Sequence, residues 1–128
     1  GRCLCGAVRY YVSGKLRDVV ECHCGMCRRV HGHIGAYTSA PKTDLRILDE
    51  RALKWYRSSE TARRGFCGTC GSTLFWDPMQ KDYIAIAAGT LDAPTGLKTA
   101  MQIHVADAGD YYTIRPDVPQ RAGGSASG

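Results

Sequence analysis

The chain has 128 residues, of which 44% are hydrophobic and 23% charged, close to the averages for globular domains. This length is typical of one domain, and the composition argues against disorder as the default state of the chain. No apolar run approaches the roughly 18 residues that a membrane-spanning helix needs, which excludes an integral membrane protein. Because no signal-peptide pattern opens the sequence, we expect a protein of the reducing cytoplasm.

Short segments rich in β-branched and aromatic residues recur along the chain, with turn residues between them. The predicted strands are Ala7–Val12, Ile34–Thr38, Leu45–Leu48, Leu53–Arg57, Ser72–Asp77, Tyr83–Ala88, Ile103–Val105 and Tyr111–Ile114. Only Gly25–His31 and Thr95–Met101 could form a helical turn, and neither is strongly periodic. The pattern predicts a single antiparallel all-β domain over residues 1–121, followed by a flexible Gly- and Ser-rich tail over residues 122–128.

Seven cysteines carry most of the chemical information in the sequence. They are Cys3, Cys5, Cys22, Cys24, Cys27, Cys67 and Cys70. An odd number cannot be fully paired in disulfides within one chain, and bridges between such close neighbours would restrict the unfolded chain very little. Close-spaced thiols in a reducing compartment are most often metal ligands, so we expect metal sites.

Two cysteine pairs are expected to form one closed structural site. Cys3 and Cys5 are two residues apart, so both sulfurs face the same side of an extended strand. Cys67 and Cys70 flank a tight glycine-containing turn, as in a zinc knuckle. Each pair supplies two ligands, and a structural zinc needs four in tetrahedral geometry. Joining the pairs gives a four-cysteine zinc site.

The third group, Cys22, Cys24 and Cys27, supplies three ligands within six positions. Three protein ligands leave one tetrahedral position open, which is typical of a catalytic zinc. One alternative is a closed site with a histidine as fourth ligand, for which the candidates are His23, His31 and His33. A redox-active Cys24–Cys27 pair is a further alternative, but no βαβ pattern surrounds it.

The net charge of +5 does not indicate a nucleic-acid-binding protein. Cysteine thiolates on two zinc ions would cancel much of this charge. The basic residues come in short doublets, Arg28-Arg29 and Arg63-Arg64, and form no long basic run. We therefore expect no nucleic-acid partner.

Four segments together resemble one known family. They read GRCLCGAVRY, CHCGMCRRVHG, RRGFCGTCGSTLFW and IAAGTLD, in this order. Over about residues 1–114 the sequence resembles the glutathione-dependent formaldehyde-activating enzyme family (the GFA/CENP-V type domain). The resemblance implies a β-tent type fold of small antiparallel sheets stapled by zinc. It also implies a structural zinc on Cys3, Cys5, Cys67 and Cys70, and an active-site zinc on Cys22, Cys24 and Cys27.

The same resemblance implies a carbon–sulfur lyase-like enzyme that acts on glutathione or a related thiol and on an aldehyde such as formaldehyde. Cys22, Cys24 and Cys27 are then the catalytic residues. Arg28 and Arg29, with Lys42, could pair with the carboxylates of glutathione. His31 is a further substrate-binding candidate, and His23, His31 or His33 could donate a proton to the developing alkoxide. The alternative function is a non-catalytic, zinc-stabilised binding module.

Overall fold

The computed structural model of the protein describes residues 1–124, so residues 125–128 of the predicted tail lie outside the described part. The described chain is mostly β, which confirms the predicted class. Its strands are β1 Arg9–Val12, β2 Val19–Cys22, β3 Gly35–Pro41, β4 Leu45–Asp49, β5 Leu53–Arg57, β6 Ala62–Cys67, β7 Thr73–Pro78, β8 Tyr83–Ala87 and β9 Thr99–Ile103. One helix, α1, spans Gly25–His31, and single 3-10 turns lie at Lys42–Asp44, Ala88–Thr90 and Val105–Asp107.

The described residues form two compact units. Unit 1 contains Gly1–Arg17 and Thr38–Gly96, and unit 2 contains Asp18–Tyr37 together with the chain from Leu97 onward. Strand β3 passes from unit 2 to unit 1 after Tyr37. Four cysteines, here called the quartet, belong to unit 1: Cys3, Cys5, Cys67 and Cys70. The other three, here called the trio, belong to unit 2: Cys22, Cys24 and Cys27. Each candidate metal site therefore belongs to one unit only.

Unit 1 contains the antiparallel pair β1–β4 and a run of strands in the order β5-β6-β7-β8-β3. Its buried core consists of Cys3, Val8, Tyr10, Cys67, Leu74, Phe75, Ile84 and Ile86. Two of these residues are cysteines of the quartet. The apolar packing of unit 1 therefore surrounds part of the candidate metal site.

Strand β6 was not predicted, because its sequence, ARRGFC, shows neither alternation nor β-branched residues. Its Gly65 is explained only by its neighbours. A Cβ at this position would lie 2.9 Å from the Trp55 ring and 3.1 Å from the Phe75 ring, so only glycine leaves room for both. Trp55 and Phe75 are the cross-strand partners of Gly65 on β5 and β7.

In unit 2, strand β2 pairs antiparallel with residues 35–37 of β3 and parallel with β9. The helical turn predicted at Thr95–Met101 is wrong, because this region leads into strand β9. Ala100 has low β propensity, but pairing with β2 overrides it. Strand β2 was itself missed, since it is only four residues long and contains Glu21.

Two further segments of unit 2 lie near the end of the described chain. Residues 111–114, predicted as a strand, form a turn and irregular chain. Residues 122–124, at the start of the predicted tail, contact the turn after β9: His104 N donates to Gly123 O at 2.8 Å, and Ala106 N donates to Ala122 O at 3.3 Å.

Within residues 1–124, no helix has both the length and the apolar character needed to cross a membrane.

A buried carboxylate links strands of unit 1. Asp77 on β7 lies 2.8 Å from Lys42 Nζ and 2.8 Å from Arg63 Nε, and Arg63 also lies over the ring of Trp55. Burial by itself would raise the pKa of Asp77, but the hydrogen bonds and charges of Lys42 and Arg63 outweigh it and lower the pKa. Asp77 is therefore ionised in the folded protein and stabilises it.

We expect Asp77→Asn to lower the free energy of unfolding at pH 7 by about 2 kcal/mol, because it leaves two cations without their partner. A lowered folded-state pKa gives stabilisation that is present above pH 3.8, the ordinary pKa, and is lost as the pH falls further. The difference between wild type and variant should therefore shrink below pH 3.8, as measured by urea unfolding.

The matched control is Asp49→Asn, which removes an ion pair to Arg51, whose side chain is 90% exposed. Exposed pairs contribute about 0–1 kcal/mol, so this variant should unfold nearly as the wild type does. Equal losses in the two variants would contradict the role assigned to Asp77.

Candidate metal centres

The four sulfurs of Cys3, Cys5, Cys67 and Cys70 lie within 4.8 Å of one another. Cys5 Sγ is 3.7 Å from Cys3 Sγ and 3.8 Å from Cys67 Sγ. Sulfurs placed tetrahedrally at about 2.3 Å from a zinc ion are about 3.8 Å apart, whereas a disulfide brings them to about 2.0 Å. The quartet therefore has the spacing of a tetrahedral metal site, and all its cysteines are free thiols.

Two glycines with positive φ and three backbone amides shape the quartet. Gly6 (φ +80°) and Gly71 (φ +83°) adopt left-handed conformations just after each cysteine pair, so the chain can turn sharply there. Backbone amides then point at the sulfurs. Val8 N donates to Cys3 Sγ at 3.3 Å, and Thr69 N and Cys70 N each donate to Cys67 Sγ at 3.4 Å. Such hydrogen bonds favour the thiolate form, which is the form that binds metal.

The thiols of the quartet do not ionise equally. The Ser72 hydroxyl and backbone lower the pKa of Cys70 to about 5. The Ala7 amide lowers the pKa of Cys5, but desolvation and the neighbouring sulfurs outweigh it and raise that pKa to about 11. Without a cation, the quartet cannot carry four negative charges at neutral pH. A bound divalent ion would supply the missing positive charge.

The trio lies where strand β2 ends and helix α1 begins. Cys22 is the last residue of β2, and Cys24 caps α1, accepting a hydrogen bond from Cys27 N at 3.3 Å. Cys27, one turn into the helix, is buried. The three sulfurs lie within 4.8 Å of one another. The hydrogen bond with the Cys27 thiol raises the pKa of Cys22, and burial raises it further. The trio therefore also needs a cation to be fully ionised.

In the described chain, the group of ligand atoms at the trio contains three sulfurs and no histidine or carboxylate. Both ring nitrogens of His23 are engaged elsewhere: Nδ1 lies 2.6 Å from Tyr112 Oη, and Nε2 lies 3.1 Å from Gln102 Oε1. His31 Nε2 lies 2.7 Å from Tyr37 Oη, and His33 Nδ1 lies 2.7 Å from Tyr111 Oη. Every histidine considered as a fourth ligand thus has a tyrosine partner.

The basic candidates differ in their surroundings. Arg28 follows Cys27 on α1 and is half-buried; its Nη2 donates to Asp107 O at 3.4 Å, while its buried Nε has no hydrogen-bond partner among residues 1–124. Arg29 is exposed on the same helix. Lys42, in unit 1, is paired with Asp77. Arg28 is therefore the cation beside the trio with hydrogen-bonding capacity to spare.

Sequence reasoning missed two residues of this region. Tyr112 and Gln102 contact His23, although they are 89 and 79 residues away in sequence. Burial raises the pKa of Tyr112, against an opposing hydrogen bond from the Gly109 backbone. Tyr112 is connected to this region through His23, which lies between Cys22 and Cys24 in the chain. No spacing pattern connects it to the cysteines.

Two comparisons with known proteins give matches. The model of the family described as "glutathione-dependent formaldehyde-activating enzyme" matches residues 1–107. A crystal structure of a Rhodobacter sphaeroides protein is similar, with a TM-score of 0.62 and 26% sequence identity; the match covers 94% of this chain and 98% of that one. Among curated proteins, none matches this chain.

If both sets bind metal, elemental analysis should find two equivalents of metal per chain. We expect Cys67→Ser to lose one equivalent and to lower the melting temperature, because Cys67 lies in the core of unit 1. Cys24→Ser should lose the other equivalent. Leu4→Ser is the control: Leu4 lies between two ligands but is 81% exposed, and this variant should keep both equivalents. One equivalent or none in the wild type would contradict the assignment of two sites.

Proposed function

The chain belongs to the glutathione-dependent formaldehyde-activating enzyme family, and from this premise we propose that it is a zinc-dependent carbon–sulfur lyase-like enzyme. Its substrates would be glutathione, or a related thiol, and formaldehyde. Zinc is the metal expected at both sites, because tetrahedral sets of thiolates suit zinc. The site on Cys3, Cys5, Cys67 and Cys70 would be structural, and the site on Cys22, Cys24 and Cys27 catalytic.

The observation that carries the proposal is the unequal number of ligands in the two sets. The quartet offers four sulfurs, enough to complete a tetrahedral site, and two of them lie in the core of unit 1. The trio offers three, and its nearby histidines are engaged with tyrosines. A three-ligand site leaves one position for a substrate.

The proposed reaction needs a thiolate at neutral pH. When bound, a zinc ion at the trio would supply a Lewis acid that favours ionisation of the substrate thiol. In the reaction, a sulfur–carbon bond forms and the π electron pair of the aldehyde C=O moves to its oxygen. The proton lost from the thiol ends on that oxygen, giving the S-hydroxymethyl adduct. The reverse reaction is the lyase direction.

The residues next to the trio suit an anionic thiol. Arg28 follows Cys27 and is only half-buried, so its guanidinium would form a charge-assisted hydrogen bond with a carboxylate of glutathione. Arg29 adds an exposed positive charge on the same helix. Their two charges also offset the negative charge that three thiolates leave on a divalent ion. His31, at the end of α1, is held by Tyr37 and would border the bound thiol.

Cobalt substitution tests the open position directly. Because visible absorption reports the coordination of Co²⁺, titration with glutathione should change the spectrum of the cobalt protein and saturate at millimolar concentration. S-methylglutathione, which has no thiol to ionise, should change it far less. An unchanged spectrum with glutathione would favour the alternative function, a non-catalytic zinc-stabilised binding module.

Arg28→Ala should weaken glutathione binding about tenfold, because a charge-assisted hydrogen bond to a carboxylate is lost. Isothermal titration calorimetry measures the change. The control is Arg46→Ala, an exposed arginine on β4 of unit 1, which should bind glutathione as the wild type does. If the two variants bind glutathione equally well, Arg28 is not a substrate-binding residue.

A further inference from the structure

Within the quartet of unit 1, one cysteine is more accessible than the others. All seven cysteines lie in the described part of the chain, and Cys5 is the one among them that is exposed. It lies in a turn next to Leu4, which is 81% exposed. Cys3 and Cys67 are buried, and Cys70 is half-buried. A molecule dissolved in water therefore reaches Cys5 before its neighbours.

The sulfur of Cys5 also lies close to two others. Its Sγ is 3.7 Å from Cys3 Sγ and 3.8 Å from Cys67 Sγ. A disulfide needs a separation of about 2 Å, so a movement of roughly 2 Å joins either pair. When bound, a zinc ion would hold these sulfurs as thiolates. Thiolate character and exposure together determine which cysteine is oxidised first, and both favour Cys5.

Cys67 is a better disulfide partner for Cys5 than Cys3 is. A bridge between Cys5 and Cys3 would close a ring around the single residue Leu4, in a tight turn where Gly6 N donates to Cys3 O at 3.2 Å. The Cβ–S–S–Cβ dihedral angle of about 90° would strain so short a ring, and a strained disulfide is easily reduced. Cys67 is 62 residues away in the sequence, so a bridge to it contains no such ring.

From this geometry we propose that Cys5 is an oxidation site, and that hydrogen peroxide converts Cys5 and Cys67 into a disulfide. First, the Cys5 sulfur takes one oxygen of the peroxide; the O–O bond breaks, and the other oxygen leaves as water with a proton from solvent, giving a sulfenic acid. The Cys67 sulfur then attacks that of Cys5. The S–S bond forms, the S–O bond breaks, and a second water leaves with another proton. The two sulfurs lose two electrons, which the peroxide gains.

The disulfide would replace the metal as the link between two segments of unit 1. A cysteine in a disulfide is not a thiolate, so a quartet with two remaining thiols would release its zinc. The bridge would still join the N-terminal segment to Cys67 at the end of strand β6. Because it closes a long loop of the chain, it restricts the unfolded state and stabilises the folded one. This inference needs zinc at the quartet but no activity at the trio.

The test treats the zinc-loaded full chain with one equivalent of hydrogen peroxide. We expect loss of one equivalent of zinc, measured with an indicator dye, and loss of two of the seven thiols. Trypsin separates the two cysteine pairs into residues 3–9 and residues 65–81, which mass spectrometry should find linked through Cys5 and Cys67. A bridge from Cys5 to Cys3, or an oxidised pair without Cys5, would overturn this inference and leave the proposed function standing.

Two histidine variants separate Cys5 from the rest of the quartet. Because histidine also binds zinc, Cys5→His and Cys70→His each keep four ligands, and elemental analysis checks that both hold two equivalents. Cys5→His has no sulfur at the exposed position and should keep its zinc under peroxide. Cys70→His retains Cys5 and Cys67 and should lose one equivalent, as the wild type does. Equal zinc loss from the two variants would contradict the assignment of Cys5. If a variant binds no zinc, the peptide map of the wild type decides.

The melting temperature tests whether the bridge substitutes for the metal. Peroxide-treated protein, stripped of all zinc by a chelator, should melt at a higher temperature than untreated protein stripped in the same way. Dithiothreitol should abolish the difference, because it reduces the bridge. Equal melting temperatures before reduction would contradict the stabilising role of the disulfide. The response of the cobalt protein to glutathione tests the trio separately, so failure of one proposal is distinguishable from failure of the other.

Discussion

The structure depends above all on the crowding of cysteine sulfurs that the backbone brings within 4.8 Å of one another, four in unit 1 and three in unit 2. Thiolates at this distance repel, and the thiols of the quartet do not ionise equally. Hydrogen bonds from Ser72 lower the pKa of Cys70 to about 5, whereas the pKa of Cys5, which the Ala7 amide alone would lower, is raised to about 11 by desolvation and the neighbouring sulfurs. Such a set titrates as a unit, and a divalent cation relieves the repulsion that the sulfurs cannot relieve by moving apart. Because Cys3 and Cys67 also belong to the core of unit 1, metal binding and apolar packing there stabilise the same structure.

The two sets place the same ligand chemistry in different surroundings. The quartet sulfurs receive backbone amides from tight turns, with glycines at the positions of positive φ. The trio spans the end of a strand and the first turn of a helix, where it too accepts one backbone amide, Cys27 N to Cys24 Sγ. Its neighbours in the chain also include polar side chains: Arg28, and His23 with its partner Tyr112. A backbone amide that donates to a sulfur stabilises the thiolate, but its hydrogen is then not available to bind another molecule. Side chains with spare donors or acceptors can recognise a second molecule, which is why the two sets are proposed to serve different purposes.

What the sequence could predict was local. The cysteine spacings identified both groups of sulfurs, and Leu53–Arg57 and Gly25–His31 were predicted with the bounds that the structure has. The features that were missed depend on contacts between distant segments. Gly65 is explained by two rings on neighbouring strands, and β9 is a strand because β2 pairs with it. The partners of His23 lie 79 and 89 residues away. A single sequence holds no signal for such pairings, because neither periodicity nor spacing relates the residues.

The hydrogen bonds of the Gln102 side chain in unit 2 explain why an amide suits position 102. A glutamate there could still accept from His23, but it has no hydrogen for the carbonyls of Arg115 and Val118, and both would lose their donor. A leucine would satisfy neither end. Glutamine alone of these three both donates to the backbone and accepts from the imidazole. Gln102 on β9 thus joins the imidazole of His23 on one side to the backbone of Arg115 and Val118 on the other, and so connects three segments of unit 2 that are far apart in the sequence.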